Sequence, residues 1–277
     1  MTDVRTAEAP TQTTRSGPNP EGDFIWYELM TTDAEGAKAF YDAVVGWDIG
    51  EAATEYQGYR MINAPGGGFA GGVLPITDEM AQHGARPTWL GYLNVSDVDA
   101  KVAAIEAAGG KTWMGPADIP SVGRIAMVTD PQAAPFYVMK AIPPEGHENE
   151  PSDVFALNRQ GRCGWNELST SDPAAARTFY AEQFGWSSED FMPMGEMGEY
   201  RFIDHHGLRL GALAGTSPGQ QPHWRYYFRV SSIATAKQTA EAKGGKIAMG
   251  PMEVPGGDFI IIGTDPQGAE FALVGGK

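Results

Sequence analysis

The spacing of apolar and polar residues along the chain sets out one unit that recurs four times. Residues 24–30 predict a strand that ends at Thr32-Asp33. Ala37, Phe40, Tyr41 and Val44 then follow at spacings of three and four, the signature of a helix with one apolar face, and Gly46 ends it. The order returns at 89–95, where Ser96-Asp97 leads into Val98, Val102 and Ile105, with Gly109-Gly110 as the stop. In the third unit Asp172-Pro173 predicts an N-cap followed by proline in the first turn. The fourth runs from Val230-Ser231-Ser232 into Ile233, Ala236 and Ala240 and stops at Gly244. Short runs between Gly/Pro turns follow the helices: 59–64, 69–74, 124–129 and 136–140, then 200–204, 208–213, 259–263 and 271–274. A strand, a helix and two or three further strands, four times over, predict an α+β protein of four βαβββ units.

The units are paired by a longer repeat. Trp26-Tyr27-Glu28-Leu29-Met30-Thr31-Thr32-Asp33 returns as Trp165-Asn166-Glu167-Leu168-Ser169-Thr170-Ser171-Asp172, and Phe40-Tyr41 and Trp47 return as Phe179-Tyr180 and Trp186. Tyr59-Arg60 matches Tyr200-Arg201. Trp89–Val95 matches Trp224–Val230, Met114-Gly115-Pro116 matches Met249-Gly250-Pro251, and Thr129-Asp130-Pro131-Gln132 matches Thr264-Asp265-Pro266-Gln267. The expected organisation is a disordered tail over 1–21, a first domain over 22–142, a polar linker over 143–160 and a second domain over 161–277.

Composition narrows the function classes. The 277 residues carry 20 Lys+Arg against 35 Asp+Glu, a formal charge of −15. Nucleic-acid backbones and anionic membrane surfaces call for the opposite sign, so neither is an expected partner. The single cysteine, Cys163, excludes an internal disulfide framework. No apolar run approaches the ~20 residues of a spanning helix, and the first 21 residues lack the apolar core of a signal peptide. These features point to a cytoplasmic protein.

The strand–Asp–helix unit with its Phe-Tyr pair and Gly-Trp, the Gly-Gly-Lys after the second helix and the Asp-Pro-Gln before the last strand together resemble the vicinal oxygen chelate superfamily. That superfamily includes glyoxalase I, bleomycin-resistance proteins and extradiol dioxygenases. The resemblance covers 22–277 and implies two fused glyoxalase-like domains. The paired Trp-x-Glu-Leu-x-Thr-x-Asp segments are similar to a bacterial group described as glyoxalase-like or hydroxylase-like. The fold alone does not choose among lyases, oxygenases and drug-binding proteins. The fused halves supply internally what single-domain relatives obtain by pairing, so a monomer or a homodimer is expected.

Enzymes of this superfamily hold a divalent metal through His and Glu at set strand positions. Carried onto this chain, those positions fall on Trp26, Leu90, Tyr137 and the neighbourhood of Gly72, and on Trp165, Arg225, Ala272 and the neighbourhood of Gly211. None is His, Asp, Glu or Cys, the donors that zinc and iron prefer. No metal and no cofactor is therefore expected.

Side chains alternate across a strand. The face of the ligand positions then carries Trp26, Glu28 and Met30 with Tyr92, Asn94 and Tyr137 in the first half. In the second it carries Trp165, Glu167 and Ser169 with Arg225, Tyr227, Arg229 and Glu270. These are two aromatic-walled cups with a few polar groups, suited to a planar or amphipathic small molecule. Trp26 and Trp165 are candidates to stack a ligand, Glu28 and Glu167 to orient it or act as a base, and Arg225 to meet an anionic group. Structural roles compete for each. The glutamates are equally readable as hydrogen bonders, the tryptophans as fillers where a metal would sit, and Arg225 as the partner of a buried carboxylate.

Other features read as structural. His205-His206 is expected at an exposed turn, and His223 at a strand start. Pro65-Gly66-Gly67-Gly68 joins two strands, whereas a phosphate cradle needs a following helix. Cys163 has no base nearby in sequence. The methionine-rich loop 191–199 is a candidate lid. The expectation for function is metal-free binding of a small aromatic or amphipathic molecule. Its rivals are a metal-independent lyase, isomerase or hydroxylase using a cavity glutamate, and a metal-dependent glyoxalase or dioxygenase with displaced ligands.

Overall fold

The computed structural model describes residues 14–143, 145–217 and 219–277. Each expected unit is present. The first is β1 (Phe24–Thr31), α1 (Ala34–Val45), β2 (Asp48–Ile49), β3 (Arg60–Asn63) and β4 (Phe69–Pro75), followed by the short α2 (Asp78–Gln82). The second is β5 (Thr88–Asn94), α3 (Val98–Ala107), β6 (Lys111–Ile119), β7 (Gly123–Thr129) and β8 (Pro135–Ala141). The third is β9 (Cys163–Thr170), α4 (Pro173–Phe184), β10 (Phe191–Pro193), β11 (Glu199–His205) and β12 (Leu208–Gly215). The fourth is β13 (His223–Val230), α5 (Ile233–Ala242), β14 (Lys246–Glu253), β15 (Phe259–Thr264) and β16 (Glu270–Gly275). The strand orders are β2-β3-β4-β1-β5-β8-β7-β6 and β10-β11-β12-β9-β13-β16-β15-β14. Two eight-stranded sheets with the same order express the internal repeat.

The helices form where capping chemistry and apolar spacing agree. Asp33 caps α1 by accepting from the Gly36 amide, and Gly46 closes it with a left-handed φ of 83°. Asp172 caps α4 in the same way, with Pro173 in the first turn and Gly185 at the end. Ala37, Phe40, Tyr41 and Val44 are buried along α1, and Val98, Val102 and Ile105 along α3. The strand periodicity missed β6 and β14. Both lie at a sheet edge and leave most of their side chains exposed, so no alternation marks them.

By backbone contacts the chain divides into two compact units that do not follow the order of the halves. One holds Leu93–Pro151 and Asn166–Trp224 with the residues up to Asp23; the other holds Phe24–Tyr92, Ser152–Trp165 and Arg225–Lys277. Each therefore draws one βαβββ module from each half. In the second unit α1 packs on α5. The matching family of aromatic residues includes Tyr41, Trp47, Trp89 and Phe228, with Trp89 and Phe228 ring centroids 4.6 Å apart.

Two segments carry more structure than their polarity suggests. Of the expected tail, residues 1–13 lie outside the described residues. Arg15 of the remainder forms an ion pair with buried Asp23 at 2.5 Å. In the segment expected as a linker, Val154, Phe155, Ala156 and Leu157 are buried, and the neighbouring Arg162 is fully buried against Asp153 and the Gly67 carbonyl.

Candidate functional site

Strand β1 sets the first site. Trp26 and Glu28 share one of its faces, and β4 runs parallel beside it with Gly72 in register with Glu28. Trp26 is half-buried and Glu28 only 4% exposed. The Trp26 indole donates to the Tyr59 hydroxyl at 2.7 Å, and the Tyr92 hydroxyl on β5 donates to Glu28 Oε2 at 2.9 Å. A side chain on Gly72 would occupy the space of the Tyr59 ring, since its Cβ would fall 2.0 Å from the Tyr59 hydroxyl oxygen. Phe69, at 43% exposure, lies 6.2 Å from the Trp26 ring.

The other oxygen of Glu28, Oε1, is buried and has no hydrogen-bond partner among the described residues. Burial penalises its charge most; the Tyr92 and Tyr59 hydroxyls oppose that effect, and the net result pushes the carboxyl up to about 7. A carboxyl at that value is divided between its acid and base forms at neutral pH.

The second half builds a different site from equivalent positions. Glu167 is half-buried and accepts from the Tyr200 hydroxyl at 2.8 Å. Its register partner on β12 is Ala212 rather than a glycine. In the other compact unit, Arg225 sits where the repeat places Leu90, and its guanidinium donates to both oxygens of Glu270, at 2.7 and 3.2 Å. Tyr227 joins a core with Ile260, Ile262, Ala272 and Val274, and Trp165 packs on that core.

The structure thus brings Trp26, Glu28 and Tyr92 together, and Arg225 with Glu270. Two other expected site residues make hydrogen bonds outside these groups. Arg229 donates to Asp258 at 2.6 Å and to the Leu157 carbonyl, while the Asn94 amide donates to the Asn19 carbonyl at 2.7 Å. Tyr137 is buried on β8, opposite Met127. The expected exposed His205-His206 turn is half right. His206 is exposed with a left-handed φ of 46°, but His205 is buried, with Nδ1 2.9 Å from Asp23. β11 ends at His205, and the His206 ring in the following turn lies 4.4 Å from the His205 ring. Part of the 191–199 loop is also strand, because Phe191–Pro193 pairs with β11. Gly66, Gly67 and Gly68 do form a turn between β3 and β4.

Tyr59 and Tyr200 were missed as site residues. Their signal was the recurrence of Tyr-Arg in both halves. Tyr59 lies just before β3, outside the stretch where strand parity tells which way a side chain faces.

The superfamily's metal was tested against this donor set. Trp26, Leu90 and Tyr137, and Trp165, Arg225 and Ala272, offer no imidazole or carboxylate. Among the described residues no group of three His, Cys, Asp or Glu is placed to hold a metal. The residues present do not fit the metal.

Comparison with known proteins defines the class. The chain belongs to the Glyoxalase/Bleomycin resistance protein/Dioxygenase superfamily, whose family model matches residues 24–134 and 161–273. It is 30% identical over 261 residues to a Mycobacterium tuberculosis protein named "Putative glyoxylase CFP32", covering 90% of this chain and 93% of that one. It is 27% identical to the anthracycline biosynthesis protein DauV of Streptomyces sp. strain C5, over 90% of this chain and 91% of that protein. In fold it is similar to the Mn(II)-bound glyoxalase of Novosphingobium aromaticivorans, with a TM-score of 0.60 and 19% identity over 92% of this chain and 82% of that one. The halotolerant catechol dioxygenase BphC gives a TM-score of 0.63 and 15% identity over 93% and 87%.

Proposed function

We propose that this protein binds a small aromatic or amphipathic organic molecule at the first-half site, without a metal. The observation that carries the reading is the Trp26–Tyr59 and Tyr92–Glu28 array, built where metal-binding relatives would need donors. The indole plane is fixed by its bond to Tyr59, which leaves its faces for stacking. Glu28 supplies an acceptor with unused capacity on one oxygen. Offset stacking on a fixed ring gives affinity, and one directed polar contact gives orientation. The names of two relatives, tied to anthracycline biosynthesis, accord with an aromatic ligand.

The test is calorimetric titration with 2-naphthylmethanol in buffer containing EDTA. The expected result is saturable one-to-one binding that weakens at least tenfold in Trp26→Ala, a loss of about 1.4 kcal/mol. Absence of saturable binding, or an affinity indifferent to Trp26, overturns the reading.

A second reading is favoured by one observation. A carboxyl near neutrality inside an aromatic site is suited to accept a proton from a bound substrate. Under it the protein is a metal-independent lyase, isomerase or hydroxylase-type enzyme with Glu28 as base. Turnover abolished in Glu28→Gln with retained affinity distinguishes it from binding alone.

A further inference from the structure

In the second half Glu270 is met by the Arg225 guanidinium, at 2.7 and 3.2 Å. At the repeat positions of Arg225 and Glu270 the first half has Leu90 and Pro135. Leu90 is buried and uncharged. The groups that set the state of Glu28 are its own burial and two tyrosine hydroxyls, with no cation among them. Oε1 has no hydrogen-bond partner among the described residues. A buried carboxylate without a counter-charge is costly, and the low-polarity surroundings that make it costly also make a counter-charge most effective there.

From this asymmetry we infer that the first-half site is selective for an organic cation: a planar ring bearing a protonated amine, with the ammonium on Glu28 Oε1 and the ring against Trp26. The inference rests on the proposed binding reading and deepens it. A neutral hydroxyl would satisfy the oxygen but leave the charge uncompensated. An anion would meet a carboxylate at close range. The exposed Phe69 ring 6.2 Å from Trp26 adds a second aromatic group that favours cations. The formal charge of −15 on the whole chain draws cations toward it.

The experiment compares 2-naphthylmethylamine, protonated at neutral pH, with its neutral isostere 2-naphthylmethanol and with 2-naphthoate, by calorimetric titration at low salt. The full chain is used, with Glu28→Gln and Glu167→Gln as variants. The amine is expected to bind at least tenfold more tightly than the alcohol, and the naphthoate more weakly than either. In Glu28→Gln the amine should lose its advantage and fall to the affinity that the alcohol has for the same variant. Glu167→Gln removes a carboxylate of the second half and leaves Glu28 in place, so it should keep the preference, and the urea midpoints of both variants show whether either has a folding defect. Equal affinities for amine and alcohol that both depend on Trp26 would overturn the cation inference and leave the aromatic site standing. Absence of binding by all three probes overturns both.

Discussion

The Tyr41 hydroxyl donates to Asp265 Oδ2 at 3.0 Å while accepting from the Trp89 indole at 3.1 Å. Oδ1 of Asp265 holds the turn before β16 through the amides of Gln267 and Ala269. One buried hydroxyl therefore joins a helix of the first half to the Asp-Pro-Gln turn of the second, inside one compact unit. Tyr180, Asp130 and Trp224 repeat the arrangement in the other unit, with 3.2 and 3.1 Å bonds. Tyr41→Phe should leave the Trp89 N–H and Asp265 Oδ2 both short of a partner. The expected cost is about 2 kcal/mol, read as a lower urea midpoint. A midpoint unchanged in both Tyr41→Phe and Tyr180→Phe would contradict this role.

Glu28 should make stability fall as pH rises. Its carboxyl is raised to about 7 in the folded protein, against a lower value in the unfolded chain. The folded state then holds a proton that the unfolded state has lost. The favourable contribution is complete at low pH and disappears as pH climbs through about 7. A shift of this size corresponds to about 3 kcal/mol. Glu28→Gln carries no such charge, so it should be more stable than the parent at pH 8 and close to it at pH 5. A stability difference that is flat across that range would show that the carboxyl is not held near neutrality.

Gly72 is required by the Tyr59 ring rather than by backbone conformation. In Gly72→Ala the new Cβ would lie 2.0 Å from the hydroxyl oxygen, so Tyr59 must move and release Trp26. Binding of 2-naphthylmethanol should weaken about tenfold. The second half has Ala212 at the matching register position, so Ala212→Gly should leave that affinity unchanged. An affinity untouched by Gly72→Ala would remove Tyr59 from the site.

Cys163 should be inert in the folded protein. Burial pushes its thiol up to about 12, and its sulfur donates to the Trp165 carbonyl. A disulfide reagent such as dithionitrobenzoate should find one thiol per chain only after denaturation. Rapid reaction in native buffer would contradict the burial.

The sequence was most informative where one physical signal dominates. Asp33, Asp172 and the Phe-Tyr pairs gave the helices because caps and 3.6-residue spacing are local. Trp26, Glu28 and Tyr92 could be grouped by strand parity, which is also local. Less legible were features that depend on partners far along the chain. His205 reads as a turn residue until Asp23 is seen beside it, and Arg229 as a cup residue until Asp258 and Leu157 claim it. The exchange of modules between halves rests on pairs such as Tyr41 and Asp265, for which spacing carries no signal. Tyr59 lay in plain view as a repeat anchor, but its place depends on the missing side chain of Gly72.

The proposed first-half site works without a metal. Elemental analysis of protein purified from cells supplemented with zinc, nickel, manganese and iron tests it most directly. The account predicts far less than one metal ion per chain, with probe binding intact in EDTA. A tightly held metal at close to one per chain would contradict it.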